Sequence, residues 1–78
     1  MMKKTIPVGA MWEGTEKEAP HRTANIWLQE RSEFGHEMWR WSCAYPDGSH
    51  SAHWSDWNPS YRLCKNELPI DVRMRRIK

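Results

Sequence analysis

A chain of 78 residues has room for one domain with a thin core, since a protein this small hides only about 60% of the surface its unfolded form exposes. Apolar residues make up 38% of it and the mean hydropathy is -0.94, a balance that leans toward disorder, but six tryptophans, two tyrosines and a phenylalanine are more aromatic surface than disordered segments carry. The formal net charge of +2 is too mild to demand a polyanionic partner, and no stretch approaches the roughly 20 apolar residues of a membrane span.

In chain order, residues 5–12 alternate, with Ile6, Val8, Ala10 and Trp12 on one side and Thr5, Pro7, Gly9 and Met11 on the other. That two-residue period predicts a half-buried strand, which Pro7 confines to a sheet edge. Residues 13–21 (EGTEKEAPH) are polar and contain Gly14 and Pro20, the composition of a mobile loop. Residues 23–31 form the next predicted strand, with Ala24, Ile26 and Leu28 facing one way and Trp27 the other. Ser32-Glu33-Phe34-Gly35 is a predicted turn, and 37–45 (EMWRWSCAY) a strong β-segment. Tyr45-Pro46-Asp47-Gly48 is a hairpin signal, with proline where its fixed φ fits and glycine at the end. Residues 49–57 return antiparallel until Asn58-Pro59 stops them. Residues 61–64 are ambiguous, and Leu68, Ile70, Val72 and Met74 alternate with polar positions as a final strand, a short helix from Asp71 being the alternative. The expected fold is all-β: a small antiparallel meander of four to five strands, closing into a sandwich or open barrel, with little or no helix, in a single domain over residues 1–78. A basic C-terminal tail occupies 75–78.

Turn geometry then assigns side chains to faces. A three-residue loop at Pro46-Asp47-Gly48 sets Cys43 opposite Ser51, Trp41 opposite His53 and Arg40 opposite Trp54, and the same logic at Phe34-Gly35 sets Trp27 opposite Trp41. One face then carries Trp39, Trp41, Tyr45 and Trp57, and the other carries Arg40 and Trp54 beside Ile26 and Leu28. The apolar segments at the two ends of the chain suffice to cover only one face, so a tryptophan-bearing surface is left for a partner. A slip of one residue would exchange the two faces.

Reactive chemistry finds little support in the residue pattern. His36, Cys43, His50, His53 and Cys64 are five candidate zinc ligands without a Cys-x2-Cys knuckle, and His50 and His53, three apart on a strand, point to opposite faces. There is no glycine-rich phosphate loop and no acidic pair spaced for general acid–base work, so neither catalysis nor a cofactor is expected. The two cysteines are too few for a disulfide framework, which favours free thiols in a cytoplasmic protein.

Binding is the remaining class. Tryptophan, tyrosine and arginine are enriched where interfaces are strongest. The expected partner-binding residues are Arg40, Trp54, Trp39 and Trp41 as central anchors, with Arg62, Arg73, Arg75 and Arg76 as electrostatic support; the last three stand with Lys78 in the final six positions. A protein partner is the preferred reading, with self-association through a free sheet edge included. The alternative is single-stranded nucleic acid, its bases stacked on sheet aromatics and its backbone tracked by arginines. In size and style the chain resembles the small accessory proteins with which phages and other mobile elements bind and block a host protein.

Overall fold

The computed structural model describes residues 5–47 and 53–78, with the backbone alone for His53 and Trp54. The elements are β1 (Met11–Thr15), β2 (Thr23–Arg31), β3 (Glu37–Ala44), β4 (His53–Trp54), the helix α1 (Tyr61–Glu67) and β5 (Arg75–Arg76). All strands join one antiparallel sheet in the order β4-β3-β2-β1-β5. The protein is therefore mainly antiparallel β with little helix, as the sequence predicts, but the sheet stays open and does not close into a barrel.

β2 carries the inward alternation that its sequence predicts, with Ala24, Ile26 and Leu28 fully buried. Opposite them on the same face lie Trp39, Trp41 and Cys43 of β3. Trp12, Trp39 and Tyr61 gather into an aromatic trio with ring centroids 5.1 to 5.9 Å apart and tilted or edge-on planes, the geometry that ring quadrupoles favour. The covering layer consists of α1, which buries Cys64, and the segment 68–74, which buries Ile70 and Val72 and packs Leu68 and Met74 at the margin.

Several expectations give way at this level. The first strand is displaced: the chain turns at Pro7–Ala10, where Gly9 takes φ 97°, and β1 begins only at Met11. Glu13–Thr15 thus belong to a strand and not to the expected loop. The connection from β1 to β2 is tied down by Glu16, whose carboxylate accepts from Nε (3.0 Å) and Nη2 (2.9 Å) of Arg22, while that guanidinium also lies over the Tyr45 ring at 5.7 Å. The helix α1 occupies a stretch whose sequence is ambiguous. Ser60 caps it, its hydroxyl accepting from the Leu63 N–H at 3.2 Å, but seven residues are too few to hold a helix by propensity, so packing of Cys64 and Tyr61 on the sheet sustains it. Along 68–74 the apolar alternation is correct but the ladder is missing; it is the predicted tail that meets β1, Arg75 and Arg76 by strand register and Ile77 and Lys78 by backbone hydrogen bonds with Met11.

The largest correction concerns the faces. Next to the turn, Arg31 pairs with Glu37 and Glu30 with Met38, the register that the turn predicts. Gln29 is then an extra residue: beyond this bulge Leu28 pairs with Trp39, Trp27 with Arg40 and Ile26 with Trp41. One unpaired residue moves every later side chain of β2 by one place relative to β3. Trp39 and Trp41 consequently share the core face with Ile26 and Leu28, and Trp27 joins Arg40 on the other. The β3–β4 connection is also longer than a three-residue loop, because Cys43 pairs with His53 and Ser42 with Trp54. Pro46 and Asp47 lie in a turn; Gly48 and the predicted strand residues Ser49–Ala52 fall outside the described residues.

Candidate functional site

The helix and the 68–74 segment lie on one face of the sheet. On the opposite face Met11, Asn25, Trp27, Gln29, Arg40 and Ser42 line a shallow depression across β1, β2 and β3. Trp27 and Arg40 are register partners at its centre, both half-buried. Arg40 is held in place by neutral acceptors: its Nε donates to the Ser55 carbonyl at 3.0 Å and its Nη1 approaches Gln29 Oε1 at 3.4 Å. Ser55 is itself buried and locked to the next residue of β3, its hydroxyl accepting from the Trp41 N–H at 2.9 Å. Gln29 Nε2 reaches Met38 Sδ at 3.7 Å, which ties the bulge to the same surface.

Of the eight residues expected to bind a partner, the structure brings few together. Trp39 and Trp41 are only 2% and 5% exposed and serve as core, so neither can be the first contact of a partner. Each directs its indole N–H to a carboxylate, Trp39 Nε1 to Glu37 Oε1 at 2.9 Å and Trp41 Nε1 to Glu67 Oε1 at 3.0 Å, which satisfies the polar end of a buried ring. Those bonds, with Arg31 assisting at Glu37 and Asn58 at Glu67, hold both carboxyls below the usual glutamate range. Arg40 lies in the depression. Trp54 pairs through its backbone with Ser42. Arg62 and Arg73 are exposed away from the depression, on α1 and on the covering segment. Arg75 pairs with Glu13, and Arg76 lies over the Trp12 ring at 5.4 Å with its Nε donating to the Lys78 carbonyl.

Of the six residues that line the depression, sequence reasoning names only Arg40 and leaves out Met11, Asn25, Trp27, Gln29 and Ser42. The signal for Trp27 and Met11 is present, since each stands one place from a core residue in an alternating strand, but the bulge decides that Trp27 shares its face with Arg40 and not with Trp41. A second exposed aromatic group occurs at the turn end, where Phe34 is 82% and Trp57 58% exposed.

Among the described residues no three His, Cys, Asp or Glu side chains are gathered as metal ligands, and no helix is long and apolar enough to cross a membrane. Both thiols are buried; burial pushes Cys43 up and Cys64 up to about 11, so at neutral pH they are protonated and behave as small apolar groups. No protein-family model, curated protein or solved structure matches the chain.

Proposed function

We propose that this is a non-catalytic binding protein of the cytoplasm that docks on a protein partner through the face of its sheet opposite the helix, with Trp27, Met11 and Arg40 as the central contacts. The observation that carries this reading is the depression itself: a tryptophan, a methionine and an arginine, three residue types enriched at interfaces, are grouped there and rimmed by Asn25, Gln29 and Ser42. Blocking a host protein, as small accessory proteins of mobile elements do, is one form such docking would take. Single-stranded nucleic acid is served less well, because by register this face sets Arg40 and Arg75 against Glu13 and Glu30, so the described residues form no cationic track for a backbone.

The test is comparative capture from the native cells with wild-type protein and Trp27→Ala, followed by measurement of each captured species with both components purified. Binding weakened by about tenfold or more in Trp27→Ala supports the reading, because central aromatic contacts carry energies of that order. Equal binding by the two proteins refutes it. Oligonucleotide titrations at two salt concentrations, followed by tryptophan fluorescence, would favour nucleic acid instead if they gave quenching with a steep salt dependence.

A further inference from the structure

The half-buried arginines of this protein are not equivalent. Arg22 is matched by the carboxylate of Glu16, and Arg31 by that of Glu37, to which both its Nε (3.1 Å) and Nη2 (2.7 Å) donate. Arg40 is half-buried too, yet among the described residues it has no carboxylate within ion-pair distance and its acceptors are a backbone carbonyl and an amide oxygen. Partial burial weakens the solvation of a guanidinium, and neutral acceptors make up less of that loss than an anion does. The group is also oriented in advance by Ser55 and Gln29, so a ligand that pairs with it has little ordering left to do.

Resting on the docking reading above, we infer that Arg40 is the receptor for one carboxylate side chain of the partner protein, an aspartate or glutamate presented next to an apolar residue that packs on Trp27 and Met11. A carboxylate fits better than a phosphodiester. One guanidinium fork matches one carboxylate, whereas among the described strand residues the other charges that register places on this face, Arg75, Glu13 and Glu30, add no net positive charge to follow a chain of phosphates. The planar fork strengthens this role, because lysine offers a point charge without the paired donors.

The probe is a phage-displayed library of random dodecapeptides panned on the immobilised full chain. Enriched sequences are synthesised, and their affinities are measured for wild-type protein, Trp27→Ala, Arg40→Lys, Arg40→Gln and the distant control Arg62→Gln, each checked for folding by circular dichroism and thermal melting. The expected peptides share an acidic residue within two positions of an aromatic or long aliphatic one. Their binding falls about tenfold or more in Arg40→Gln, less in Arg40→Lys, and not in Arg62→Gln. Changing the peptide's acid to its amide produces the same loss in wild type and no additional loss in Arg40→Gln. If peptides depend on Trp27 but bind Arg40→Gln as well as wild type, the carboxylate receptor is overturned while the docking face stands. If no enriched peptide depends on Trp27, both are overturned. A twelve-residue oligothymidylate that binds more tightly than any peptide, with dependence on Arg40, replaces the carboxylate with a phosphate and overturns the inference.

Discussion

Gly14 sits near the end of β1 facing the covered side of the sheet, and a methyl group placed on it would meet the Arg73 carbonyl oxygen at 2.6 Å and Met74 Sδ at 2.8 Å. In an unobstructed strand, exchanging glycine for alanine would stabilise the fold by about 0.4–1 kcal/mol, because the unfolded chain loses freedom. Here the sign reverses. The thioether can swing aside, but the carbonyl belongs to the backbone of the segment that buries Ile70 and Val72, so relief requires that segment to lift from the sheet. Inserting a methyl group into such a contact costs about 1–3 kcal/mol, a substantial part of the roughly 4–12 kcal/mol expected for a chain this long. For a domain of this size the melting temperature of Gly14→Ala should drop by roughly 4–24 °C. Urea denaturation of both proteins, with the slope checked for constancy, measures the difference. A Gly14→Ala protein that melts at or above the wild-type temperature would refute the placement of the 73–74 backbone against β1.

Other perturbations address different parts of the molecule. Glu37→Ala removes the acceptor of the buried Trp39 indole N–H and should destabilise the protein by about 1–3 kcal/mol in urea titrations, whereas Glu37→Gln, which keeps an oxygen there, should lose less. Glu37, Glu67 and Glu16 have folded pKa values below their ordinary 4.5, so each contributes stability that is complete above that value and is lost as pH falls through the lowered folded one. Melting temperature should therefore stay level down to mildly acidic pH and then decline, and the decline should be shallower in the Glu37→Gln, Glu67→Gln double variant. Cys64, pushed up to about 11 and buried, should resist a thiol reagent at neutral pH in the native protein and react fully in urea; rapid native labelling would contradict its enclosure.

Local signals in the chain are sufficient for β2, whose alternation and bounds agree with the structure, and for β3 to within a residue. They are insufficient where the outcome depends on contacts distant in sequence. The helix over Tyr61–Glu67 has a capping serine but too little length to declare itself, and its stability derives from the sheet beneath. Gly14, which composition assigns to a loop, is in a strand because only a residue without a side chain admits the Arg73 carbonyl. The candidate surface is legible in kind but not in membership. Arg40 stands out by its place between tryptophans, while Trp39 and Trp41 fall on the wrong side because nothing in the local sequence around Gln29 announces an extra residue.

That extra residue also separates two levels of constraint. On its inner side, pairing is enforced by packing of Ile26, Leu28, Trp39 and Trp41; on its outer side, Arg31 meets Glu37 across a short solvent-facing tip. Removing Gln29 would splice two already compatible ladders into one continuous ladder without inverting the core. The tip bearing Phe34 can thus be shortened, lengthened or replaced with a foreign loop while the interior keeps its alignment, which makes it a natural graft point in this small scaffold.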